Sequence, residues 1–132
     1  MADAVTSQTL QDGDKVVVMK FTNISDGSGE SAVKKVDVSA LQTQSGSDAT
    51  CTGVTIDRVW YECSGMAVDL LWDASTDVLA WTLSGYGYFD FRQAGPLVNN
   101  ASSPTGDIMF TTTGADSGDR YSIMLSMTKS YE

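Results

Sequence analysis

Apolar and polar residues alternate with a period of two through most of this chain, and Gly, Asp, Asn and Ser interrupt the alternation at intervals. Half-buried β-strands separated by turns produce that pattern, whereas helices do not. The middle is clearest. Val54, Ile56, Arg58 and Trp60 alternate with Thr55, Asp57, Val59 and Tyr61; beyond Ser64-Gly65, Met66, Val68, Leu70 and Trp72 alternate with Ala67, Asp69, Leu71 and Asp73. Ser64-Gly65 reads as a two-residue hairpin turn. After a turn over 73–77, Leu79, Trp81 and Leu83 share a face, so residues 53–83 are expected to form a three-strand meander. Near the end, Tyr121, Ile123, Leu125 and Met127 take one face and Ser122, Met124, Ser126 and Thr128 the other.

The flanking segments fit the same scheme. Residues 1–14 are polar and read as an N-terminal arm or a short edge strand, and 15–132 as a single β domain. Lys15–Asn23 is a strand whose Val-Val-Val-Met run suggests burial on both faces. Together with Ala32–Val38 it would form a hairpin-like unit around the loop 25–31. Ser39–Gln42 reads as one helical turn with Ser39 as its N-cap, and 44–48 as a polar connector. Residues 84–100 look irregular because of Gly85, Gly87 and Gly95-Pro96, and Asp107–Thr113 is a further strand. The sum is about eight antiparallel strands, and an all-β, single-domain β-sandwich or jelly-roll-like barrel closes them with fewest bare faces and edges.

Composition narrows the function. The 132 residues suit one domain. Lys and Arg number 8 against 17 Asp and Glu, a net charge of −9 that repels phosphate backbones, so no nucleic-acid partner is expected. Histidine is absent, which removes the commonest general base and a common metal ligand. No run approaches the ~18–20 apolar residues of a membrane helix, and the N-terminus lacks the basic and apolar regions of a signal peptide. No membrane partner is expected, and synthesis in a cytosol is.

Candidate chemistry is thin. Asp12/Asp14, Asp26/Glu30, Asp73/Asp77 and Asp116/Asp119 sit in turns without the spacing of a calcium loop, and turn capping explains them. Asp57, Asp69 and Asp73 are carboxylates of the sort a glycosidase pairs across a cleft, with Asp57 placed opposite Asp69 if the hairpin forms; solvent-facing positions are the plainer account. Cys51 and Cys63 are expected to be reduced and packed as small hydrophobes, and two thiols without His leave a zinc site half empty. No cofactor or metal is expected, and a non-enzymatic role is. The aromatic residues between 60 and 91 carry more weight. Trp72 and Trp81 are expected in the core, while exposed Trp and Tyr would suit a carbohydrate-binding face. Tyr86, Tyr88, Phe89 and Phe91, with Val5 and Leu10 of the arm, are the candidate partner or subunit contacts.

Several stretches carry a family likeness. Thr6-Ser7-Gln8, Asp12-Gly13, Val18-Met19-Lys20-Phe21-Thr22-Asn23-Ile24-Ser25-Asp26-Gly27, Glu30-Ser31-Ala32-Val33, Lys35-Val36-Asp37-Val38, Ile56-Asp57-Arg58-Val59-Trp60-Tyr61, Met66–Ala74 and Gly106-Asp107-Ile108-Met109-Phe110-Thr111-Thr112 resemble small virion structural proteins of tailed, marine-type bacteriophages. The resemblance implies a capsid decoration or cement protein, a homotrimer bridging major capsid protein subunits on the outside of the virion. It brings no catalytic residues. The alternatives are a tail, neck or fibre-associated virion protein, a carbohydrate-binding β-sandwich that recognises a host surface, and, last, a His-free glycoside hydrolase.

Overall fold

The computed structural model describes residues 4–13, 15–27, 29–41, 51–93, 95–101 and 104–131. The expected connector 44–48 and Asp14 fall outside them. Seven strands appear among these residues: β1 (Ala4–Asp12), β2 (Val16–Asp26), β3 (Val33–Val36), β4 (Cys51–Ala74), β5 (Val78–Asp90), β6 (Pro104–Thr113) and β7 (Ser117–Tyr131). All pairings are antiparallel and belong to one continuous sheet in the order β1-β2-β7-β4-β6-β3, with β5 alongside β4. The all-β class holds.

Strand β4 turns this one sheet into two layers. Its first half, through Ser64, pairs with β7, and its second half, from Ala67, pairs with β6. Strand β5 follows it through the change, with Tyr86–Asp90 beside the first half and Val78–Ser84 beside the second. One layer is therefore β1-β2-β7-β4-β5 and the other β3-β6-β4-β5, with two strands crossing the corner. Packing confirms that the layers face each other. Phe21 of β2 and Tyr121 of β7 lie edge-on to Phe110 of β6, with ring centroids 5.1 and 5.8 Å away.

Several sequence expectations need correction. Ser64-Gly65 is a corner within β4 rather than a hairpin turn. Gly65 has φ +83°, and a methyl there would run into the Asp119 carboxylate. The expected three-strand meander is thus a long bent hairpin, and the described residues form seven strands where about eight are expected. Asp57 and Asp69 lie on one continuous strand and do not oppose each other. Residues 84–90 are strand, not irregular chain. β2 and β3 form no hairpin: β2 pairs β1 and β7, while β3 pairs β6 in the other layer. Strand β2 also alternates between buried and half-buried residues, so Val16 and Val18 are not core. The single turn near 39 is a 3-10 turn over Val38–Ala40 capped by Asp37, whose carboxylate accepts from the Ser39 amide. Residues 4–12 are the edge strand rather than a free arm.

The alternation elsewhere survives. Met66, Val68, Leu70 and Trp72 are all buried, as are Tyr121, Ile123, Leu125 and Met127. At one end of the sandwich a polar clasp is also buried. The Glu30 carboxylate meets the Lys35 ammonium at 2.5 Å, with side chains 6% and 3% exposed, and accepts from the Tyr121 hydroxyl at 2.6 Å. Lys35 also lies 5.9 Å from the Phe110 ring centroid.

Candidate functional site

A single inserted residue decides which way Trp60 points. Strict alternation would put Arg58 and Trp60 on the buried face with Val54 and Ile56. The β4–β7 register slips at Asp57: Ile56 pairs with Met127 and Arg58 with Ser126. This bulge reverses the parity, so Val59 is fully buried while Arg58 and Trp60 are only partly covered. Asp57 anchors the bulge by accepting from the Thr128 hydroxyl and, at 3.4 Å, from that of Thr55. Ile56 is held on its other edge by paired backbone hydrogen bonds with Leu97, of 3.0 and 2.9 Å.

The registers then lay two rows of side chains across the outer face of the larger layer. One runs Lys20, Met124, Trp60, Tyr88, and the next Thr22, Ser122, Glu62, Tyr86. Trp60 and Tyr88 stack with centroids 5.1 Å apart and planes 25° from parallel. The Arg58 guanidinium lies 5.2 Å from the Trp60 centroid. A trough of about 290 Å³ sits here, lined by Trp60, Met124 and Lys20 of the first row and by Glu62 and Ser122 of the second. The trough surface is mostly apolar, with the Glu62 and Ser122 side chains and the Lys20 ammonium in its lining, a combination suited to a ligand with one apolar face and a few polar groups.

Ion pairing around the stack is uneven. Asp90, directly across from Arg58, gives both carboxylate oxygens to Arg92 at 2.9 and 2.7 Å and accepts the Arg92 amide at 3.0 Å. Those bonds hold its carboxyl well below the usual carboxylate range. Arg58 is left without an ion pair, and its buried Nε has no acceptor, among the described residues. Lys20 and Glu62 likewise form no salt bridge among the described residues.

The sequence candidates divide. Tyr86, at 83% exposure the most open large hydrophobic side chain among the described residues, and Tyr88, at 47%, join the Trp60 surface. Phe89, at 42%, caps a second aromatic group at the β5 margin with Tyr61, Trp81 and Phe91, whose centroids lie 6.0, 5.7 and 6.0 Å from its own. Phe91 is buried and packs edge-on to Trp81 at 5.0 Å, so it belongs to the core and not to a contact surface. Leu10 is exposed at a bulge in β1, at the opposite edge of the layer, so it does not share the Tyr86 surface. The Val5 side chain lies outside the described residues; its backbone pairs with Asn23. Trp72 is core as expected, while Trp81 is only partly buried. Sequence reasoning missed Trp60, Glu62 and Lys20. The only available signal was the placement of Arg58 and Trp60 on an apolar face, which a bulge resolves.

Other chemistry is quiet. Asp69 accepts from Thr82 and Asp73 from Thr105, at 3.1 and 3.0 Å, as ordinary cross-strand partners. Two of the turn acids cap their own loops, Asp119 accepting the Asp116 amide at 2.9 Å and Asp77 the Ala74 amide at 3.2 Å, whereas Glu30 belongs to the buried clasp and Asp12 pairs with Lys129. Both cysteines are free and buried. Burial, then the nearby Glu62 charge, pushes the Cys63 thiol up to about 11, away from reactivity. No group of metal-ligating side chains occurs among the described residues.

No known family model and no curated protein matches the chain. Among solved structures it is similar to a mutant of a family 29 carbohydrate-binding module complexed with cellulohexaose, at 11% identity and a TM-score of 0.44 over 95% of this chain and 91% of that one. Another structure from that module family gives 10% identity and the same TM-score over 95% and 88%. A cupin domain from Bordetella pertussis Tohama I gives 10% identity and a TM-score of 0.36 over 98% and 97%. These scores are low, so what the chain binds has to be read from its own residues.

Proposed function

We propose that this protein is a carbohydrate-binding β-sandwich that recognises a surface polysaccharide through the outer face of β4 and β5. The observation that carries it is the Trp60–Tyr88 stack, raised out of the core by the Asp57 bulge beside a mostly apolar trough that Glu62 and Ser122 also line. A pyranose ring is amphipathic in the same sense: its C–H face packs on aromatic and thioether surface, and its hydroxyls donate to a carboxylate and exchange hydrogen bonds with a serine. At about 290 Å³ the trough sits at the small end of ligand sites, which suits a sugar unit or two of a longer chain. Titration with soluble oligosaccharides should give a saturable change in tryptophan fluorescence, lost in Trp60→Ala. A flat response across neutral and acidic oligosaccharides overturns the assignment.

A second reading, the capsid cement role, draws on strand β1. Its outer edge is unpaired among the described residues, it carries neither Lys nor Pro to guard it, and Leu10 stands exposed on it. Such an edge suits β-augmentation by a capsid subunit or by a second copy within a trimer on the virion exterior. Sedimentation and the copy number on purified particles test it. A monomer at high concentration that is absent from particles counts against it.

A further inference from the structure

We infer that the Trp60 face prefers an acidic sugar chain, one bearing uronate carboxylates, over a neutral one. This deepens the carbohydrate reading and rests on it. The protein is strongly acidic, yet the surroundings of the Trp60–Tyr88 stack are balanced, with three cations, Lys20, Arg58 and Arg92, beside three carboxylates, Asp57, Glu62 and Asp90, of which Asp90 is held by Arg92 and Asp57 by the Thr128 hydroxyl. Among the described residues, four of the chain's eight cations are engaged in ion pairs: Lys34 with Asp107, Lys35 with Glu30, Arg92 with Asp90, and Lys129 with Asp12. Two of the remaining four, Lys20 and Arg58, flank Trp60.

The geometry at Arg58 is specific. Its register partner is Asp90, the carboxylate that would normally neutralise it. Arg92 takes both Asp90 oxygens and so withdraws that partner. The Arg58 guanidinium is left over the Trp60 ring, with its Nε buried and without an acceptor. Held against the ring, a guanidinium loses little further freedom on binding, and its planar fork matches a carboxylate. Lys20 supplies a second cation in the trough, at the far end of the Trp60 row. Glu62 is the one unpaired carboxylate in the trough, and it disfavours an anion in contact with it. A chain lying across Trp60 satisfies both: its hydroxyls reach Glu62 and Ser122 while a carboxylate meets Arg58 or Lys20. A sugar chain with a carboxylate on some ring positions and hydroxyls elsewhere has that pattern.

Calorimetry with the full chain decides it, using oligogalacturonates and cello-oligosaccharides of matched length in low and moderate salt. The uronate chain should bind about tenfold tighter at low salt, the scale of one charge-assisted hydrogen bond, with the margin shrinking as salt rises. Arg58→Gln and Lys20→Gln should each reduce the uronate preference, read as the ratio of the two affinities on the same variant; a ratio unchanged in both overturns the assignment of the preference to these cations. Thermal unfolding of each variant checks that it folds, and because Lys20 lies on the outer face, its variant keeps the test open if Arg58→Gln fails. Equal or tighter binding of the neutral chain overturns the acidic preference but leaves the carbohydrate reading standing. If neither chain binds, both fall.

Discussion

Two aromatic groups in this sandwich sit on opposite sides of the same layer and in opposite surroundings. Phe21, Phe110 and Tyr121 meet edge-to-face across the two layers, and each is essentially unexposed. Trp60 and Tyr88 stack within one layer, on its outside. The charges beside them differ in the same way. Next to Phe110 the ion pair is closed, with Lys35 bound to Glu30 and Glu30 also accepting from Tyr121. Next to Trp60, Arg58, Lys20 and Glu62 are open. A buried charge must be satisfied inside the fold because water cannot reach it. At the surface, an unsatisfied charge held over an aromatic ring remains available to a ligand.

Substitutions should separate the two groups. Glu30→Ala strands a buried ammonium and should cost about 3–5 kcal/mol of stability by chemical denaturation. A loss well under 1 kcal/mol would mean that the clasp is solvated. Phe110→Ala, which empties the interlayer contact, should cost a similar about 3–5 kcal/mol. Gly65→Ala should cost about 1–3 kcal/mol, since a side chain there must adopt positive φ and displace the Asp119 carboxylate. Trp60→Ala should change stability by no more than about 1 kcal/mol while abolishing sugar-dependent fluorescence, the reverse of the core variants.

The smallest effect concerns Cys63. Its folded-state thiol titrates near 11 against an ordinary 9.0. The folded state therefore keeps a proton that the unfolded chain loses. The stability tied to this group is fully present below pH 9.0 and is lost as pH rises through about 11. Native protein should resist thiol-specific labelling at pH 8, and rapid labelling would place Cys63 at the surface.

The turns and the alternation made the strand class legible in residues such as Met66, Val68, Leu70 and Trp72, whose parity holds from one end of their segment to the other. The site was legible only in part. Tyr86 and Tyr88 could be picked out as exposed aromatics, but Trp60 could not, because one bulged residue at Asp57 inverts the alternation between it and the Gly65 corner. A second irregularity in β5, where the register jumps from Trp81 to Leu79, likewise turns Leu79 outward to 53% exposure although it was expected to share the Trp81 and Leu83 face. The ordered appearance of residues 84–90 was hidden because Gly85 and Gly87 suggest loop, and only pairing to β4 makes them strand.

By itself the sequence determined that this would be an all-β protein with polar turns, since a period of two has no other stable way to bury its apolar half. It also determined the acidic surface and the absence of histidine chemistry. Only the tertiary structure decided that Ser64-Gly65 is a corner. A Gly at positive φ serves a hairpin and a bend equally well, and the choice falls to whichever long-range partners can form ladders on both sides of it. Here β7, β6 and β5 are all in place to do so, which carries β4 across the layers and leaves Trp60 on the outside.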